Sequence, residues 1–143
     1  MATLKYEMPT EFMEAISKLE SQTDIIVPKV LEAGGNVVLK TMREYLRAAI
    51  GRVKHLSSRS TGELVEALGL SPARLDRNGD FNVKIGFKEP RRKGDSNAKI
   101  ANILEFGKHG QPPRPFLKPA KAASRKPATD AMVAKLEEEI GKL

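Results

Sequence analysis

Ile100–Ala120 reads IANILEFGKHGQPPRPFLKPA. Ile100, Ile103, Leu104 and Phe106 recur at helical spacing, and Ser96 or Asn97 is a suitable cap for a helix running to about Phe106. Gly107 fits the position after a helix that needs a left-handed backbone. Pro112, Pro113 and Pro115 then fall within four positions, which makes a stiff, extended connector. Beyond it, Phe116 to Leu143 predicts a C-terminal helix with a break near Pro127. Met132, Val133, Leu136, Ile140 and Leu143 form its apolar stripe. Glu137, Glu138 and Glu139 lie near its C-terminus, where the helix dipole disfavours acids unless a basic neighbour receives them.

Working back, Phe81, Val83, Ile85 and Phe87 alternate with Asn82, Lys84 and Gly86, which predicts a strand with one buried face. Asn78-Gly79 before it supplies the positive φ angles of a tight hairpin turn. The partner strand is then about 70–76, with Pro72 limiting its pairing or placing it at an edge. Such an edge is either covered or used for assembly. Thr61–Leu68 reads as a short helix or turn, with Leu64 and Leu68 on one side and Gly69 ending it. Residues 88–95 form a basic loop, and His55–Ser60 a polar one.

Nearer the N-terminus, Phe12, Ile16 and Leu19 mark a first helix from Thr10, broken at Ser21–Asp24. A long second helix is expected from about Ile25 to Arg52, with Pro28 in its first turn. Val27, Val30, Leu31, Val37, Val38, Met42, Tyr45, Leu46 and Ala49 keep to one stripe. Gly34-Gly35 inside that run marks a kink or a close helix contact. The fold class is therefore α+β: N-terminal helices, one of them long, a small antiparallel sheet with a hairpin, a short central helix and a C-terminal helix.

The 143 residues suit a single domain, 1–143, with 88–95 and 107–115 as protruding loops. No apolar run approaches the roughly 20 residues of a membrane span. The first residues lack a signal-peptide pattern, and the expected place of work is the cytoplasm in which the chain is made. With no cysteine there is neither a disulfide nor thiolate chemistry. The net charge is +7, and Lys84–Lys126 holds 12 Lys/Arg against 3 Asp/Glu, a local +9. A basic segment suggests an anionic partner, nucleic acid or an acidic protein surface, set against a plain solvated face.

Candidate chemistry is sparse. His55 and His109 are the only histidines, too few for a zinc site without scattered carboxylates. Ser57, Ser58 and Ser60 lack a nucleophile elbow, and no glycine cluster has phosphate-loop spacing. Glu105, between Leu104 and Phe106, has no catalytic partner in view and reads as a polar contact to a loop or a neighbouring subunit. Phe116 reads as core at the start of the last helix, and Leu117 as shared with a neighbour. No enzyme activity and no cofactor are expected. Arg91, Arg92 and Lys93 are the candidate docking or DNA-facing loop.

Four segments occur in order: Thr61–Leu64, Val83–Phe87, Ile103–Gly107 and Pro115–Ala120. Together they resemble the neck proteins of long-tailed bacteriophages and prophages, the Hong Kong-97 gene-ten-product type, from about Leu19 onward. Glu105-Phe106-Gly107 and Pro115-Phe116-Leu117-x-Pro119-Ala120 carry the likeness. The resemblance implies a structural virion component, assembled in the host bacterial cytoplasm as an oligomeric ring that joins head to tail. Its implied partners are further copies of itself, the adjoining head, neck and tail proteins, and nonspecific contact with packaged DNA, with no membrane. Lys108 stands where the family pattern often has threonine. A basic nucleic-acid-binding domain is the alternative, though no helix-turn-helix, zinc or aromatic signature accompanies the charge.

Overall fold

The computed structural model of the chain describes residues 10–51, 63–89 and 96–143. Its first element, α1, is one helix, Thr10–Gly51, of 42 residues. The expected break at Ser21–Asp24 is absent. Ser21 Oγ donates to the Lys18 carbonyl at 2.8 Å and Thr23 Oγ1 to the Leu19 carbonyl at 3.0 Å, so both hydroxyls are satisfied along the helix. Pro28 is consequently in the helix interior and not in a first turn. The carbonyl its missing N–H would have served belongs to Asp24, an exposed residue where water can take the bond. Gly34-Gly35 is a close contact within a continuous helix. A Cβ on Gly34 would stand 2.5 Å from Met132 Cγ, and one on Gly35 2.7 Å from Leu70 Cδ1.

The helix α2, Glu63–Ala67, buries Leu64 and Val65. Leu68 then opens strand β1, Leu68–Leu70, so Gly69 lies in a strand and does not end a helix. The expected hairpin exists but is interrupted. β1 pairs antiparallel with β4, Ile85–Phe87, in the register Leu68 with Phe87 and Leu70 with Ile85. β2, Arg74–Leu75, pairs with β3, Phe81–Asn82, so the single strand read over 81–87 is two short ones. Pro72 is the physical reason, since it has no N–H for a ladder. Ser71 bridges the gap: its N–H donates to the Lys84 carbonyl at 2.8 Å, and its Oγ accepts the Lys84 N–H at 2.8 Å. At the tip only Gly79 has positive φ, at 83°, so Asn78 does not share the left-handed role. Asp76 closes the turn instead, its carboxylate accepting the N–H groups of Asn78 at 2.8 Å and Asp80 at 3.0 Å.

The helix α3, Asn97–Phe106, is capped as expected: Ser96 Oγ accepts the Lys99 N–H at 3.2 Å. The Asn97 side chain donates to the Lys88 carbonyl at 2.7 Å, fastening α3 to the end of the hairpin. The last helix, α4, spans Leu117–Gly141 without the break expected at Pro127. Pro127 and Ala123, whose carbonyl loses its partner, are both exposed, the same accommodation as at Pro28.

α4 runs antiparallel to α1. Gly34 lies against Met132, and Lys29 against Glu139. The face α4 buries is Ala120, Ser124, Ala128 and Glu139, at a helical spacing of four or multiples near it. Small side chains let the two helices approach. The stripe read from the sequence is displaced by this: Val133, Leu136, Ile140 and Leu143 are exposed, and Met132 alone is half-buried. The core lies at the other end. Leu39, Leu46 and Ala49 of α1 meet Leu64, Leu68, Leu104 and Phe116 there, with Phe87 edge-on to Phe116 at 6.4 Å.

Candidate functional site

The start of α4 has no capping side chain of its own, because its cap residue is Phe116. A helix start leaves N–H donors without intrahelical partners, and burying them unpaired is costly. Glu105, eleven residues upstream and 6% exposed, supplies the acceptors. Its Oε2 accepts the Phe116 N–H at 2.7 Å and the Leu117 N–H at 2.8 Å, and its Oε1 accepts the Lys118 N–H at 3.1 Å. The next residue, Pro119, has no N–H to satisfy. Ala120 N–H then makes the first helical bond, to the Phe116 carbonyl at 3.0 Å. Every donor of that turn is thereby accounted for. Burial pushes the Glu105 carboxyl up, but the N–H groups of Leu117, Phe116 and Lys118 and the Lys118 charge outweigh it and hold it below 4.5.

The connector between Glu105 and Phe116 is held at several points. Gly107 has φ 77°, and its N–H caps α3 on the Ile103 carbonyl at 2.7 Å. A Cβ there would stand 2.8 Å from the Gln111 carbonyl oxygen and 2.9 Å from Pro113 N. Lys108 and Gln111 exchange both backbone hydrogen bonds, at 3.0 and 2.9 Å, around Gly110. Arg114 N–H donates to the Leu104 carbonyl at 2.7 Å, while its guanidinium reaches the Ala49 carbonyl, near the end of α1, at 3.3 Å. The result presents Phe106, 73% exposed, beside exposed Lys108 and His109.

The sequence-predicted residues divide accordingly. Glu105, Phe116, Leu117 and Pro119 converge on the start of α4, while Gly107 ends α3 against Gln111 and Pro113; Phe116 is fully buried and Leu117 half-buried. Pro115 is exposed beside them. Phe106, grouped in the sequence with the apolar face of its helix, points outward instead. Arg91, Arg92 and Lys93, along with His55 and the serines at 57, 58 and 60, lie outside the described residues. Lys118, Lys121 and Arg125 share one exposed face of α4 by their spacing.

The other end of the helix pair is not legible in the sequence as a surface. Glu139 is buried and takes Lys29 at 3.3 Å, Lys135 at 3.4 Å and Lys142 at 3.4 Å, while Glu138 takes Lys135 and Lys142. Burial pushes the Glu139 carboxyl up, and the three lysines outweigh it and hold it low. This is the basic neighbour the acidic triplet calls for. Beyond it, Phe12, Met13, Ile16 and Leu19 of α1, Leu136 and Ile140 of α4 and Leu143 just after it stay exposed. A cleft of about 340 Å³ opens between them, lined by Ile16, Leu19, Ile140 and Leu143 with Glu11 and Glu14 among its polar residues. What the sequence does offer is a competing stripe on α4, Ala120, Ser124 and Ala128, better suited to close helix packing than the larger apolar residues.

The described residues form a small α+β scaffold with a hydrogen-bonded connector and several large apolar side chains left exposed. The family model described as "Bacteriophage HK97-gp10, putative tail-component" matches residues 10–107. The chain belongs to this family. The match takes in Glu105-Phe106-Gly107 and ends before the Pro115–Ala120 motif. No curated protein and no solved structure matches the chain. Membership of a phage tail-component family places the protein in the virion, in contact with other virion proteins, and points away from catalysis. Among the described residues, no helix is long and apolar enough to cross a membrane.

Proposed function

We propose that residues 1–143 form one neck domain that joins phage head to tail as a subunit of an oligomeric ring, assembled in the host cytoplasm. The observation that carries this reading is the row of exposed apolar side chains along the free ends of α1 and α4. A monomer that leaves Phe12, Met13, Ile16, Leu19, Ile140 and Leu143 in water has an interface waiting for a partner. The locked connector supports it too, because a segment fixed before docking loses little conformational entropy on docking. In this reading, segments 88–95 and 107–115 dock neighbouring subunits or the adjoining head and tail proteins.

A second reading has a specific support of its own. Lys118, Lys121 and Arg125 lie on one exposed face of α4. In a basic nucleic-acid-binding domain, that face and the cations Arg91, Arg92 and Lys93 meet DNA through phosphates alone, without sequence preference and with strong salt dependence. The test of the pair is the solution mass of the protein with and without duplex DNA. Self-assembly that needs no DNA supports the ring; a monomer that binds DNA reversibly with salt supports the nucleic-acid domain.

A further inference from the structure

Two segments at opposite ends of the α1–α4 pair are opposite in charge. Residues 10–29 and 135–143, at the free end of the α1–α4 pair, carry seven carboxylates against four lysines. Residues 96–126, at the other end, carry seven Lys/Arg against Glu105 alone. From Ile16 to Ala49 the ends are separated by roughly 50 Å of α1, at about 1.5 Å per residue. They are therefore too far apart to pair within one chain.

Each end also offers half of an apolar contact. The basic end presents Phe106, 73% exposed on a backbone fixed by Gly107 and the Lys108–Gln111 bridge. The acidic end presents the cleft between Ile16, Leu19, Ile140 and Leu143. An aromatic side chain on a rigid support is the usual anchor of a protein interface.

We infer that a second copy of this chain fills the cleft: Phe106 of one subunit inserts between the free ends of α1 and α4 of the next, with Lys108 facing the carboxylates of Glu11 and Glu14. The contact is head-to-tail. Unlike a two-fold contact it leaves one unused knob and one unused cleft on every pair, so it propagates, and where the rotation between subunits closes it makes a ring. This rests on the ring reading above and adds which surfaces meet.

The experiment uses Phe106→Asp and Ile140→Asp in the full chain, each expected to melt like the wild type because both positions are exposed. The wild type should gain mass with concentration, less so at high salt. Each variant alone should stay monomeric. Mixed in equal amounts they should form a dimer and stop, because the intact Phe106 of one fits the intact cleft of the other. Assembly of Phe106→Asp at wild-type concentrations, or a monomeric mixture beside an assembling wild type, overturns the head-to-tail contact and leaves the ring reading standing. A fall of more than about 5 °C in the melting temperature of Ile140→Asp with no change in mass shows that the chain fills its own cleft, and overturns it as well. A wild type that stays monomeric at every soluble concentration overturns both.

Discussion

The Glu105 carboxylate lies 2.7 Å from the backbone nitrogen of Phe116, and that bond joins the two most distinctive motifs of the chain into one device. Glu105 holds the start of α4, and Phe116, the cap residue of that helix, sits in the core against Phe87. Replacing Glu105 with Gln leaves one acceptor oxygen for three donors. A loss of about 1–3 kcal/mol is expected in urea unfolding, and more for Glu105→Ala, since buried N–H groups are left unpaired. A change within error for both would show that water serves the donors equally well.

The same carboxylate makes stability depend on acid. Its proton affinity is lowered in the folded state, so its contribution is complete above its ordinary 4.5 and fades as pH falls through the lower folded value. Glu138 and Glu139 shift in the same direction, so the wild type alone does not isolate the effect. The gap in urea midpoint between wild type and Glu105→Gln should narrow steadily as pH drops below 4.5. A gap that stays constant down to acid unfolding contradicts the assignment.

Gly107→Ala meets two obstacles together. The left-handed φ disfavours any Cβ, and the Gln111 carbonyl occupies its place at 2.8 Å. A loss of about 1–3 kcal/mol is expected, measured by thermal unfolding. Gly110→Ala, with positive φ but open space around it, should cost less.

Phe116→Asp places a charge among Leu46, Leu68 and Leu104 and should prevent folding. Phe116→Ala should cost about 3–5 kcal/mol. A soluble Phe116→Asp protein with wild-type melting removes the residue from the core.

Much of the fold is readable from local pattern. Ser96 as a cap, Gly107 as a stop, a hairpin with its turn at Asn78-Gly79 and a core role for Phe116 follow from spacing and turn chemistry, whereas the start of the hairpin's first strand at Leu68 does not. The failures share a cause. At Ser21–Asp24, Pro28 and Pro127 the local signals favour a break, but packing between α1 and α4 rewards continuity and the unmade bonds fall on exposed residues. The apolar stripe of α4 misleads because close helix approach, and not hydrophobicity, decides which face is buried. The role of Glu105 lies in a hydrogen-bonded contact across eleven residues, which no periodicity reports. The candidate site divides the same way: its motif residues stand out in the sequence, whereas the apolar cleft arises where two stripes with the pattern of core stay exposed among the described residues.

The basic face of α4 gives a separate expectation. Lys118→Glu, Lys121→Glu and Arg125→Glu together should leave the melting temperature nearly unchanged, since exposed charges contribute little. The triple variant should bind duplex DNA more weakly and with a shallower salt slope, by about 0.9 for each phosphate that is no longer neutralised. Unaltered salt dependence would assign that face to protein or solvent.

The central claim is that this chain assembles with itself. Its most direct test is the solution mass by light scattering, across concentration, with and without DNA. A mass that rises with concentration to a closed multiple of the subunit, unchanged by DNA, is the expected result. A monomer at all concentrations that gains mass only with DNA, and sheds it again with salt, contradicts the account.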